Sequence, residues 1–240
     1  MTRIAARFCG PPESANGGYC AGILANALQG AVEVTLRRPP PLERELELRG
    51  GQEHAELWHA EELIAEARCA SLELAVPQAP SFERALELSR HYFGHRRHHF
   101  PGCFVCGPAR AVGDGLRIFP GAERVGQPVV APFRPDASLV DERGIMRPEL
   151  VWAALDCVGY FAAAAPDYPI ALLGRMTAQL SAPVELDERC VVLGWSLGRA
   201  GRKLHAGTAL FGADGRLCGL GQQTWILLAT HQGQAPPWRL

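Results

Sequence analysis

The segment Arg147 to Ala165, RPELVWAALDCVGYFAAAA, constrains the fold more than any other part of the chain. Pro148 suits a first helical position, and Glu149 places a carboxylate near the positive end of the helix dipole. Nearly every later residue is apolar, so the predicted helix must be surrounded by protein on all faces. The one acid beyond the first turn is Asp156. Because a buried carboxylate is costly unless it is bonded or used at a site, Asp156 is the first candidate functional residue.

Composition excludes several kinds of partner. Lys and Arg number 24 and Asp and Glu number 25, so the net charge argues against nucleic acid and anionic membrane surfaces. No apolar run approaches the ~18 residues of a membrane span. The first residues, MTRIAARFCGPPES, contain no apolar core of a secretion signal. We therefore expect a cytoplasmic protein whose eight cysteines are free thiols.

A second apolar helix is predicted at about residues 16–29. Small residues dominate the segment from Tyr19 onward, and either Ser14 or Asn16 can cap its start. Gly17 and Gly18 carry no side chains and would leave backbone N–H groups exposed at the helix N-terminus.

Alternating apolar and polar residues predict half-buried antiparallel strands after each helix. A capped amphipathic helix at 81–92 and a polar connector at 95–101 separate the two sets. The predicted strands are 32–38, 43–49, 55–61 and 63–74 in the first set, 115–119 and 129–133 before the second helix, and 172–183, 188–198, 202–212 and 216–228 after it.

The order of a helix followed by a four-strand antiparallel meander occurs twice, which predicts an α+β protein with two similar halves. We place them at residues 1–90 and 91–240. A single such sheet would leave one face of its helix uncovered, so the halves should dock on each other. Whether this pseudo-dimer forms a homo-oligomer stays open.

Three sequence features resemble the hotdog-fold thioesterases. Cys103–Phe119, CFVCGPARAVGDGLRIF, resembles the opening segment of those of the phenylacetate-pathway type. Asn16-Gly17-Gly18-Tyr19 resembles the His-Gly-Gly that begins their central helix, with Asn in place of His. Asp156 falls where their helix carries a catalytic Asp or Glu. The resemblance covers most of the chain as two copies. It implies an acyl-CoA thioesterase made of two tandem hotdog folds, each a long antiparallel sheet wrapped around a central helix, forming an intrachain pseudo-dimer.

The two halves differ in the site elements that they carry. The Gly-Gly motif belongs to the first half and the acid to the second. The first helix has Ala25 and Asn26 where the family would carry an acid, and the second begins Arg147-Pro148-Glu149 where it would carry Gly-Gly. We therefore expect one site, which combines Gly17 and Gly18 with Asp156.

These residues suit thioester hydrolysis. Exposed N–H groups at Gly17 and Gly18 would polarise the carbonyl. Asp156 would act as general base on water or attack directly, and burial would raise its pKa. The alternative is that the glycines only permit close helix packing and that Asp156 is a structural carboxylate.

Thr177 and Gln222 resemble positions that join an Asp to orient water in bacterial double-hotdog acyl-CoA thioesterases. The alternative for each is an ordinary strand residue.

Further candidates would contact the substrate, an acyl-CoA or another acyl thioester. Cations on a turn and in the connector could bind the phosphates of coenzyme A, although such residues are more often solvated loops. The candidates are Asn16, Tyr19 and Trp152 for the pocket, Arg199, Arg202 and Lys203 for the turn, and Arg96 and Arg97 for the connector.

Cys103 and Cys106, a C-x-x-C pair, follow His95, His98 and His99 and could form half of a zinc site. No second C-x-x-C pair completes it, and Cys9 would have to come from the other half. We therefore expect no metal ion, no structural disulfide, and no cofactor except coenzyme A as part of the substrate.

Two functions compete with hydrolysis. A hotdog hydratase or dehydratase would need an Asp and a His together near the helix start, and no His is close in sequence to the Gly-Gly motif or to Asp156. A catalytically idle pseudo-dimer that binds an acyl ligand or a partner protein fits the missing His and the loss of one half-site.

Overall fold

The computed structural model describes residues 1–228, in which ten strands form one antiparallel sheet. The strands are β1 (Thr2–Arg3), β2 (Val32–Leu36), β3 (Glu45–Gly50), β4 (His54–His59), β5 (Glu62–Cys69), β6 (Val129–Phe133), β7 (Ala171–Leu180), β8 (Cys190–Ala200), β9 (Lys203–Phe211) and β10 (Leu217–Leu227).

Three α-helices accompany this sheet within the same residues: α1 (Gly17–Ala25), α2 (Phe82–Ser89) and α3 (Pro148–Ala163). Asn16 caps α1, since its side chain accepts from the Tyr19 N–H, and Pro148 begins α3 as its sequence predicts. Short 3₁₀ helices lie at Ala6–Phe8 and Phe93–His95. Within residues 1–228, no helix combines the length and apolar character needed to cross a membrane.

The sheet order is β1-β3-β4-β5-β2-β7-β10-β9-β8-β6. Its two halves have the same order, and antiparallel pairing of β2 with β7 joins them at the centre. The predicted duplication and the joined sheets are confirmed. The prediction of a simple four-strand meander is wrong in one respect. The strand after each helix returns to the centre, β2 beside β5 and β7 beside β10, because it pairs with its counterpart in the other half.

Helices α1 and α3 pack directly against each other, and both contact the sheet. Glycine makes this close approach possible. A Cβ at Gly22 would lie 2.5 Å from the Cα of Glu149, and one at Gly18 would lie 2.6 Å from the Cβ of Asp156. The glycines of α1 therefore permit close helix packing, which is the alternative to carbonyl polarisation that the sequence left open.

The predicted strand 115–119 is wrong. Gly115 and Arg117 have φ values of 113° and 51°, which interrupt the extended backbone. The segment still forms single hydrogen bonds, from Leu116 N–H to the Phe104 carbonyl and from Ile118 N–H to the Val105 carbonyl. It therefore lies beside the 103–107 segment as an irregular chain.

The division between residues 90 and 91 stays a prediction. Helix α2 precedes it in sequence but packs against β6 and β8, which belong to the second half. At this contact, Ala85 of α2, Val130 of β6 and Trp195 of β8 are buried in one hydrophobic cluster.

Replacing Gly22 tests the contact between α1 and α3. We expect Gly22→Ala to lower the free energy of unfolding by about 1–3 kcal/mol, although Ala is the better helix former, because its methyl group meets the backbone of Glu149. Urea denaturation measures the change. Gly51→Ala is the control, since no atom lies within 4 Å of its added methyl group. Equal stability of both variants would contradict the packing account.

Candidate active site

Asp156 on α3 lies against the N-terminus of α1 and is 1% exposed. Its Oδ2 accepts a hydrogen bond from the Gly18 N–H at 3.0 Å and another from Asn16 Nδ2 at 2.7 Å. The acid of the second half and the Gly-Gly helix start of the first half therefore meet at one point.

The two carboxylate oxygens of Asp156 have different surroundings. Oδ2 has the two donors, whereas Oδ1 is buried and has no hydrogen-bond partner within residues 1–228. Burial raises the pKa of Asp156 to about 7, and the hydrogen bonds from Gly18 and Asn16 act in the opposite direction. Oδ1 therefore keeps an unused hydrogen-bond acceptor at the cavity wall.

The helix start offers fewer free donors than its sequence suggests. The Gly18 N–H donates to Asp156, and the Tyr19 N–H donates to Asn16 Oδ1 at 2.9 Å. Neither is available to a substrate, so the expectation that Gly18 polarises a carbonyl is corrected. In the part of the chain described, the Gly17 N–H has no protein acceptor, and Gly17 lines a cavity.

This cavity has a volume of about 260 Å³ and adjoins Asp156. Both halves contribute to it, and its wall is largely apolar. Lining residues include Asn16, Gly17, Leu36, Phe100, Asp156, Tyr160, Phe161, Leu173 and Trp225. A compact apolar group in this space would lie beside the carboxylate and the helix N-terminus.

Tyr19 and Trp152, which the sequence suggested as pocket residues, do not line the cavity. The Tyr19 ring stacks on Phe8 with its centroid 4.0 Å away, and Trp152 is buried. Trp152 lies on the side of α3 that contacts α1, since a Cβ at Gly22 would lie 2.8 Å from the Trp152 Cβ. Both residues therefore belong to the core around the helices. Asn16 does line the cavity, but its amide holds Asp156.

Thr177 and Gln222 do not reach Asp156 either. They face each other across β7 and β10, and Gln222 is exposed. The inward residue is Gln223, whose Nε2 donates to the Leu155 carbonyl of α3 at 2.7 Å. Since residues alternate between the two faces of a strand, Thr177 and Gln222 lie on the face away from the helices. The sequence-based choice of Gln222 was therefore wrong by one position along β10. Trp225, which lines the cavity and lies two residues after Gln223, would have identified Gln223 as the inward residue.

The sequence also suggested phosphate contacts on the β8–β9 hairpin. Arg199, Arg202 and Lys203 are exposed there, and none of them lines the cavity. Three other arginines line it, Arg37, Arg38 and Arg97. Arg37 and Arg38 form ion pairs with Glu66 and Glu62.

Arg97 differs from the other two arginines of the cavity. Within residues 1–228, its guanidinium has no ion-pair partner. The sequence named Arg97 as a connector cation, together with Arg96, and the structure brings Arg97 to the cavity.

Three buried thiols lie in the same wall. The Sγ atoms of Cys103, Cys106 and Cys157 are all within 4.8 Å of one another. Hydrogen bonds from Cys106 and Cys157 lower the pKa of Cys103 well below its usual value, and burial raises the pKa of Cys106. All eight cysteines are thiols in the structure.

Sequence reasoning missed Cys157 because it lies on α3, far along the chain from the C-x-x-C pair. It had named Cys9, whose Sγ instead contacts the Gly102 carbonyl and the Arg110 guanidinium. The sequence predicted no metal because it offered no partner ligands for the pair, whereas Cys157 lies beside the pair as a third thiol.

Two histidines also line the cavity, although neither is close in sequence to the Gly-Gly motif or to Asp156. His98 Nε2 is 3.3 Å from Cys106 Sγ, and its Nδ1 accepts from the Phe100 N–H. His99 Nε2 is 2.8 Å from the Tyr168 carbonyl. Both rings are therefore bonded to groups other than Asp156.

Comparison with solved structures shows similarity over nearly the whole chain. The tesB protein of Mycobacterium avium subs paratuberculosis is 15% identical, with a TM-score of 0.57, over 90% of this chain and 88% of that one. A hot dog fold protein of unknown function from Alicyclobacillus acidocaldarius is 13% identical, with a TM-score of 0.59, over 95% and 92%. A Novosphingobium aromaticivorans protein, provisionally described as a thioesterase, is 11% identical, with a TM-score of 0.60, over 94% of both chains.

No family model matches the sequence, and a search of curated proteins finds no match. The structural likeness confirms the fold predicted from the sequence, an intrachain pair of hotdog folds whose sheets join into one.

Proposed function

We propose that this protein hydrolyses acyl thioesters and that acyl-CoA is the substrate class. One observation carries the proposal: the buried Asp156 carboxylate, one oxygen of which has no partner in the described residues 1–228, lies beside a helix N-terminus and a largely apolar cavity. The proteins of the same fold include one provisionally described as a thioesterase, which supports this reaction class.

The thioester carbonyl oxygen would accept a hydrogen bond from the Gly17 N–H. This donor lies at the positive end of α1, where negative charge on the oxygen is stabilised as water adds to the carbonyl carbon. Polarisation thus rests on Gly17, whereas Gly18 positions the acid.

Asp156 Oδ1 would take a proton from the attacking water as the water oxygen bonds to the carbonyl carbon. The carbonyl then reforms, the carbon–sulfur bond breaks, and the proton on Asp156 passes to the departing thiolate. The products are a carboxylic acid and the free thiol, so all atoms of water and thioester are accounted for.

Asn16 and Gly18 would act as positioning residues. Their two hydrogen bonds fix Oδ2, so the carboxylate plane cannot turn freely and Oδ1 keeps its orientation. Asn16 would thus have a positioning role where the hotdog-fold thioesterases that the sequence resembles carry His.

The cavity favours a compact apolar acyl group. Its volume of about 260 Å³ is slightly below the roughly 300 Å³ lower limit typical of ligand pockets. Tyr160, Phe161 and Trp225 supply aromatic surface. Coenzyme A would then extend outward past Arg97, whose guanidinium has no ion-pair partner among residues 1–228 and suits a phosphate group.

Removing the charge of Asp156 tests the base. We expect Asp156→Asn to lower acyl-CoA hydrolysis by a factor of ~10² or more, because the amide cannot take a proton from water. The variant should fold, since an amide oxygen can still accept from Gly18 and Asn16. The assay follows free thiol with a trapping reagent over short, long and aromatic acyl groups.

Glu149→Gln is the matched control, a carboxylate on the same helix that does not line the cavity. It should hydrolyse acyl-CoA like the wild type. Wild-type rates in Asp156→Asn would refute the mechanism. A wild-type protein that binds acyl-CoA but hydrolyses none of the panel would favour the non-catalytic binding alternative, and hydration of an enoyl-CoA would favour the hydratase.

Changing Arg97 tests the path of coenzyme A. We expect Arg97→Gln to raise KM for acyl-CoA by roughly threefold to tenfold, with little change in kcat, because it removes one charge-assisted phosphate contact. Thioesters of N-acetylcysteamine, which lack phosphates, should show no change. Arg199→Gln on the β8–β9 hairpin is the control. A larger effect of Arg199→Gln than of Arg97→Gln would place the phosphates at the hairpin instead.

A further inference from the structure

We propose that Cys103, Cys106 and Cys157 bind a thiophilic divalent cation, Zn²⁺, as thiolates, with His98 as the fourth ligand. The site would lie in the cavity wall, beside Asp156 but separate from the hydrolytic machinery. The proposal does not depend on thioester hydrolysis.

The spacing of the sulfur atoms carries the argument. A tetrahedral zinc with Zn–S bonds of about 2.3 Å places its sulfurs about 3.8 Å apart. Cys103 Sγ and Cys157 Sγ are 3.7 Å apart, and all three Sγ atoms lie within 4.8 Å of one another. The three side chains thus converge on one point from two distant parts of the chain.

The turn that carries Cys103 and Cys106 suits metal-bound thiolates. The Gly107 N–H donates to the Cys103 carbonyl at 2.9 Å, which closes the turn. A Cβ at Gly107 would lie 2.5 Å from the carbonyl oxygens of Cys103 and Pro101, so the turn requires glycine there.

Charge explains why a cation belongs among these thiols. A buried thiolate is costly without a compensating charge, and three close together would repel one another. A divalent cation removes this penalty and would hold all three in the ionised form. No Lys or Arg is hydrogen-bonded to any of these three sulfurs within residues 1–228.

His98 lies beside the three thiols, with Nε2 at 3.3 Å from Cys106 Sγ, and its ring would move toward the other two sulfurs to complete the site. Binding through Nε2 places the ring proton on Nδ1, so the present hydrogen bond from the Phe100 N–H would be given up for the metal bond. Three thiolates and one imidazole form a closed four-ligand set, which is typical of structural zinc.

Such a metal would fasten the connector to α3. His98 lies on the connector, Cys103 and Cys106 lie on the turn that follows it, and Cys157 directly follows Asp156 on the helix. The same segment lines the cavity, so the metal would fix that wall in place.

The test measures metal in the full chain, purified under reducing conditions without chelator. We expect about one zinc per chain by elemental mass spectrometry. After removal of zinc, added Co²⁺ should produce thiolate-to-metal charge-transfer absorption and the intense visible bands of tetrahedral cobalt. Cys157→Ser and Cys106→Ser should each lose stoichiometric metal, and His98→Ala should bind Co²⁺ at least tenfold more weakly.

Cys190→Ser is the matched control, because Cys190 is also buried but lies on β8 outside the cluster. It should keep its metal. Wild-type protein that contains no stoichiometric metal and gives no thiolate–cobalt absorption would overturn the proposal. So would a Cys103–Cys157 disulfide in freshly isolated protein, or metal retention by Cys157→Ser equal to that of Cys190→Ser. The wild-type measurement decides the question even if a cluster variant fails to fold.

Discussion

The structure depends on the pair of hydrogen bonds that Asp156 accepts from the first half. Burying a carboxylate costs several kcal/mol unless donors replace its water, and Gly18 and Asn16 provide two. Both donors come from the start of α1, so this helix must lie directly against α3. That closeness in turn requires glycine at positions 18 and 22, where any side chain would overlap α3. This one contact therefore depends on the small residues of α1 and the apolar faces of α3, and it accompanies the joining of the two sheets.

Duplication of the architecture has not produced two equivalent sites. Ala25 holds in α1 the place that Asp156 holds in α3, each eight residues after its first helical residue. Helix α3 begins at Pro148 without a side-chain cap, whereas Asn16 caps α1. One half thus supplies the helix N-terminus and the other supplies the acid. A pseudo-dimer in one chain can divide these tasks because its halves are free to diverge, which two copies of one short chain cannot do.

The sequence predicted the features that rest on local patterns. Apolar continuity identified α3, the Asn-Gly-Gly run identified the start of α1, and the family resemblance paired the two. The sequence did not predict the features that depend on contacts between distant parts of the chain. Two adjacent glutamines in β10 left the register open, so Gln222 was chosen although Gln223 faces α3. Cys157 joined the C-x-x-C pair only through folding of the connector onto α3, and Arg97 reached the cavity by the same route.

The position of a bound acyl thioester tests the central claim most directly. A crystal structure of Asp156→Asn with an acyl-CoA would trap the substrate before hydrolysis. The account predicts the thioester carbonyl oxygen within hydrogen-bonding distance of the Gly17 N–H and the acyl group among Tyr160, Phe161 and Trp225. A thioester bound on the outer face of the sheet, near Thr177 and Gln222, or one whose carbonyl lies away from the start of α1, would contradict it.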